Sequence, residues 1–186
     1  MDAPSVRPPG TSNWRSVLWH EFVHVITLQK TENRMARWLS EGISVYEEGV
    51  YSSAFHNRLD VDYLEILVSD GKPTVRDLHL LFTKTPSQEH LMFGYFMSGE
   101  FVQFYVDTYG FDRIVAALEL IANKMSTEAA LVSAAGVDLG ALNEAFHGYL
   151  DVRLKPYEAI YGKELEDSSL LGLLAEQFKI NDIHIR

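Results

Sequence analysis

Between Trp14 and Lys30 the chain sets large apolar side chains at helical spacing almost all the way round, interrupted on one side by His20, Glu21 and His24. Thr11, Ser12 and Asn13 stand just ahead of this run, and each can cap the first free backbone N–H groups of a helix. A helix that is apolar on nearly every face belongs in a protein interior. Imidazoles and a carboxylate placed there without partners would cost free energy, so the cluster requires something that satisfies it.

Composition narrows the setting. At 186 residues the chain suits one domain with a sizeable core, and 47% apolar residues place it among globular proteins. Its apolar runs are short and broken by charge, so no transmembrane segment is expected. Cysteine is absent, which removes disulfides, thiolate metal ligands and thiol catalysis. A net charge of −10 without a basic stripe argues against nucleic acid as a partner and is compatible with peptide, protein or small-molecule ligands. These features set neither an oligomeric state nor a compartment.

Residues 1–13, rich in Pro and lacking the apolar core of a signal peptide, read as a linker-like lead-in. A helical domain is expected over residues 14–160. Its second helix runs from about Trp38 to Gly49, and Tyr51 to Leu59 forms a loop. Helices follow over Asp60–Ser69 and Val75–Phe82, the latter capped by Thr74. The aromatic-rich stretch His90–Tyr109 has only Gly94 and Gly99 as breakers and stops at Gly110. Phe111–Lys124, Thr127–Ala135 and Leu139–Lys155 complete the domain, with Ser126 and Asp138 at cap positions and Gly136 closing the middle helix. Residues 161–186 form a tail with one more helical pattern at Ser168–Phe178. No alternating segment is long enough to be a strand, so the class is mainly α.

His20-Glu21-Phe22-Val23-His24 fits the pattern H-E-x-x-H on a helix. Spacing i, i+4 puts both imidazoles on one face, a turn apart, where they can share a single ion. Glu21 sits beside that face, placed to act as general base on a water and not as a ligand. A zinc ion that does chemistry needs a third protein ligand and an open fourth position. Glu41, in the run Trp38-Leu39-Ser40-Glu41-Gly42, is the candidate, giving one zinc per chain. A five-residue match also arises by chance on surface helices. Here it falls in a helix expected to be buried, which favours a metal.

The pair HEFVH and WLSEGISVYEEG resembles the gluzincin zinc metallopeptidases. It is most similar to the branch holding aminopeptidase N and the bacterial peptidase-MA-like domains, whose catalytic domain is related to that of thermolysin. The resemblance is densest over His20 to Glu48 and extends to about Lys155. It implies a helical zincin-type core, hydrolysis of peptide bonds, and Glu41 as third zinc ligand. Family members carry a β-sheet before the H-E-x-x-H helix, and its edge strand holds the peptide by strand addition. Only residues 1–13 precede the helix here, so the usual upstream sheet, and any targeting signal with it, is expected to be absent from this sequence. The acidic motif by which aminopeptidases hold a substrate N-terminus is absent too, which leaves exopeptidase and endopeptidase action both open.

Glu48 lies seven residues after Glu41 and points the same way on a helix. Metal-bound histidines usually donate their other N–H to a carboxylate, which makes Glu48 the candidate partner, and the family resembled has a Glu at the matching place. The competing reading makes Glu47 and Glu48 a solvated charge pair. Related enzymes support the oxyanion with a tyrosine in a Tyr-x-x-Gly setting ahead of an apolar helix. Tyr95-Phe96-Met97-Ser98, followed by GEFVQFYVDTYG, resembles it, with Ser98 where Gly is usual and Gly99 just after. The resemblance thus implies a catalytic Tyr95, against the alternative of an aromatic core position. His56, His79, His90, His147 and His184 show no ligand spacing, and Asp60, Asp62 and Glu65 read as a solvated helix face.

The function expected is zinc-dependent hydrolysis of peptide bonds in a peptide or protein substrate. Two other readings compete with it. One is a zinc-binding, non-catalytic domain, against which the intact Glu21 speaks. The other is a helical interaction module with a chance motif and no metal.

Overall fold

The computed structural model describes residues 14–52, 59 and 61–157, and among them the chain is all helix, with no strand. The helices are α1 (Trp14–Lys30), α2 (Arg37–Tyr51), α3 (Val61–Ser69), α4 (Val75–Thr83), α5 (Gln88–Tyr109), α6 (Phe111–Ala122), α7 (Thr127–Ala135) and α8 (Leu139–Leu154). The mainly-α class is as expected. The caps at Thr11 to Asn13, most of the Tyr51–Leu59 loop and the tail helix at Ser168–Phe178 lie outside the described residues.

Side-chain caps fix several starts. Thr74 and Asp77 form a reciprocal capping box at α4, and the Ser126 and Asp138 side chains accept from Ala129 N and Ala141 N. Each cap stabilises its helix by about 1 kcal/mol. Gly136, at φ 72°, closes α7 in the left-handed region. Ser87, which the sequence pattern missed, accepts from His90 N and starts α5 at Gln88, ahead of the expected His90.

The long α5 is the centre of the core. Its Phe101, Phe104 and Tyr105 are buried, Phe101 meets Trp38 of α2 edge-on at 5.2 Å, and Phe146 of α8 packs against both phenylalanines. The Tyr105 hydroxyl donates to Leu131 O at 2.7 Å and so ties α5 to α7. Against this helix α2 comes into backbone contact. A Cβ on Gly42 would lie 2.5 Å from Ser98 O, so only glycine fits the crossing. Ser98 Oγ is buried there without a hydrogen-bond partner among the described residues, a cost of about 1–3 kcal/mol that tight packing must offset.

Helices α1 and α2 form an antiparallel hairpin, since Ser16 and His20 pair with Glu48 while His24 pairs with Ser40. The chain leaves α1 through Glu32 (φ 51°) and Asn33 (φ 58°), with Asn33 N donating to Leu28 O at 2.8 Å. Ala36 N then donates to Thr127 Oγ1 at 2.9 Å, which fixes the entry to α2 against α7.

One expectation is corrected. The interior position inferred for α1 is not observed: only Ser16, Val23 and Thr27 are buried, while Leu18 is 60% exposed and Trp14, Phe22, Val25 and Ile26 each 50%. The helix rests on α2 by a largely polar face; Val23 is buried and Trp19 and Leu28 pack on the core, while its other large apolar residues point outward. Among the described residues no helix is long and apolar enough to cross a membrane.

Candidate metal centre

His20 and His24 project from successive turns of α1 toward Glu41 on α2. Their Nε2 atoms lie 3.2 and 3.1 Å from the same carboxylate oxygen, Glu41 Oε2, and the three ligand atoms all fall within 4.8 Å of one another. The side chains are well shielded, at 17% exposure for each histidine and 11% for the glutamate.

The far side of each imidazole is also held. His20 Nδ1 is 2.7 Å from Glu48 Oε1, and Ser16 donates to the other oxygen of Glu48. His24 Nδ1 is 2.8 Å from Ser40 Oγ and 3.3 Å from Ser44 Oγ. A carboxylate beside Nδ1 places the His20 proton there and leaves Nε2 with its lone pair, aimed at Glu41. Lone pairs facing a carboxylate oxygen repel unless a cation lies between them, so the residues fit a metal ion. Without one, a proton takes its place. Burial disfavours charge on His20, but hydrogen bonds to Glu41 and Glu48 outweigh it and raise its pKa to about 9. Burial would raise Glu41, yet its bonds with His20 and His24 hold it well below the usual carboxylate range.

The second oxygen of Glu41 faces away from the histidines. Oε1 accepts from Arg37 Nε at 3.2 Å and from the Tyr95 hydroxyl at 3.4 Å, and Arg37 Nη2 donates to the Tyr95 oxygen at 3.0 Å. Tyr95 stands at the start of the third turn of α5, brought to Glu41 by the Gly42 crossing. Glu21 is half-buried on α1 and makes no hydrogen bond or ion pair with any described residue.

The structure therefore gathers His20, His24, Glu41, Glu48 and Tyr95 into one place, with Glu21 next in sequence to His20. Glu48 is not a solvated pair with Glu47: it turns to His20. Sequence reasoning gave no role to Ser16, Ser40, Ser44 or Arg37. Helical spacing carried a signal for all of them, since Ser16 stands four residues before His20, and Arg37, Glu41 and Ser40, Ser44, Glu48 recur at intervals of four. The other described histidines stay apart: His79 is exposed, His90 pairs with Asp70, and His147 contacts Pro73 O at 3.1 Å. Asp62 and Glu65 are exposed, as a solvated face requires. His56, Asp60 and His184 lie outside the described residues.

The first hairpin of this helical domain focuses two imidazoles and a carboxylate on one point, a set that could hold a metal ion. A model of the peptidase MA superfamily matches residues 6–152, and the chain belongs to that superfamily. No curated protein and no solved structure matches it.

Proposed function

We propose that the chain is a gluzincin-type zinc peptidase domain, related to the aminopeptidase N and thermolysin catalytic domains, that hydrolyses peptide bonds in a peptide or protein substrate. The observation that carries this reading is the convergence of His20 Nε2, His24 Nε2 and Glu41 Oε2 with Nδ1 of each histidine already engaged. Membership of the peptidase MA superfamily supports it.

In this reading His20, His24 and Glu41 hold one zinc ion. Bound there, zinc lowers the pKa of a water toward about 7 and polarises the scissile carbonyl. Glu21, without a partner among the described residues, takes the proton of the attacking water and passes it to the leaving amine. Tyr95, released from Glu41, donates its hydroxyl to the oxyanion. Glu48 and Ser16 keep His20 in one tautomer, and Ser40 does the same for His24.

The test is metal content by plasma emission on protein purified without an affinity tag. Wild type is expected to carry about one zinc per chain, and Glu41→Ala or His24→Ala none. A wild type that takes up no zinc when it is supplied leaves the helical interaction module as the reading. Glu48→Ala is expected to weaken zinc binding by about 10–100-fold, measured by chelator competition. Unchanged affinity in that variant would remove Glu48 from the site.

A further inference from the structure

We propose that Arg37 is a specificity residue that receives a substrate carboxylate beside the metal centre. The inference rests on the peptidase reading and adds a substrate class to it.

A guanidinium offers two hydrogen-bonding edges: the side edge formed by Nε and Nη2, and the end edge formed by Nη1 and Nη2. In this protein the side edge is used, Nε toward Glu41 Oε1 at 3.2 Å and Nη2 toward the Tyr95 oxygen at 3.0 Å. The end edge meets no acceptor among the described residues, and the Arg37 side chain is 58% exposed. An open guanidinium end edge matches the two oxygens of a carboxylate, with two parallel charge-assisted bonds.

The group is also held in place before any ligand arrives. Its carbon lies 5.6 Å from the centre of the Phe82 ring, and that ring meets Tyr95 edge-on at 5.1 Å. Gly94 lets α4 come this close, since a Cβ there would sit 3.1 Å from Leu81 and 3.2 Å from Phe82. A long cation fixed by two bonds and an aromatic face loses little further freedom on binding. Arg37 is thus rigid, charged, half-exposed and one hydrogen bond from both Glu41 and Tyr95. A peptide held at the metal brings to it either an acidic side chain next to the scissile bond or its own terminal carboxylate.

The experiment uses the full chain loaded with zinc and four dipeptides that carry a hydroxamate at the amino end. They have Glu or Gln next to the hydroxamate and end in a free carboxylate or an amide. Calorimetric titration reads the affinity ratio of each acid to the all-neutral probe within each protein, so any general weakening of the metal site cancels. Wild type is expected to prefer one of the two carboxylate sources by about tenfold or more, and which one tells side chain from terminus. In Arg37→Met the preference disappears. In Arg37→Lys, which keeps the charge without the fork, it falls to about threefold, and this variant decides the matter if Arg37→Met does not fold. Equal binding of all four probes to wild type, or a preference that survives in both variants, overturns the proposal while leaving the metal site intact. Failure of the neutral hydroxamate to bind zinc-loaded wild type removes the peptidase site, and this inference with it.

Discussion

Glu21→Gln is expected to keep its zinc and lose its turnover. The carboxamide has the shape of the carboxylate but cannot take a proton from water. Glu21 makes no bond to any described residue, so its replacement leaves the ligand network of His20, His24, Glu41 and Glu48 in place. General acid–base catalysis contributes about 10²–10⁴-fold, and one group serving as base and then acid belongs at the upper end. Zinc content and cleavage of a peptide library, measured on the same preparations, check this. A variant that cleaves at the wild-type rate would falsify the role given to Glu21, whereas loss of zinc would show that the residue supports the ligands.

Gly42→Ala is the second large effect, and it acts through packing. The added methyl would lie 2.5 Å from Ser98 O and 2.8 Å from Ser98 C, both backbone atoms of a buried helix that cannot rotate away. Overpacking of this kind costs about 1–3 kcal/mol, and more where backbone must move. Alanine's better helix propensity returns only about 1 kcal/mol. The shift of α2 against α5 also displaces the neighbouring Glu41 from Tyr95, so metal affinity should fall along with stability. Gly148→Ala on α8 is the control, because among the described residues nothing beyond its own helix backbone and chain neighbours lies within 4 Å of the added atom. That change is expected to stabilise by about 0.5–1 kcal/mol. Urea unfolding with and without zinc reads both, and a Gly42→Ala protein as stable as wild type would mean that the helices separate at little cost.

The candidate cluster was legible in two parts, His20 and His24 from helical spacing and Glu41 from the resemblance of its segment to the gluzincin pattern. His20 and His24 share a face by the i, i+4 rule, and Glu41 and Glu48 share one seven residues apart, so two helices laid antiparallel meet at the right atoms. The exposure of α1 was not legible. A helix apolar all round reads as interior, yet the face that packs on α2 here is the one carrying Ser16, His20 and His24. Polar groups that satisfy one another across a hairpin replaced the apolar contact that periodicity alone anticipates. Arg37 was legible only in part. Its pairing with Glu41 is a spacing of four, but its bond to Tyr95 joins residues 58 apart and depends on where α5 crosses.

The hairpin has a consequence for how the protein is made. The contacts within its His20–His24–Glu41 cluster are local in the chain, with Glu41 only 21 residues from His20, while Tyr95 lies 54 residues beyond Glu41. Loop-closure entropy grows with the logarithm of loop length, so the wider separation adds only about 0.8 kcal/mol. The larger difference is in order of assembly, because local contacts form without waiting for distant segments. The His20–His24–Glu41 cluster thus belongs to the low-contact-order part of the fold, and Tyr95 joins it only when α5 docks.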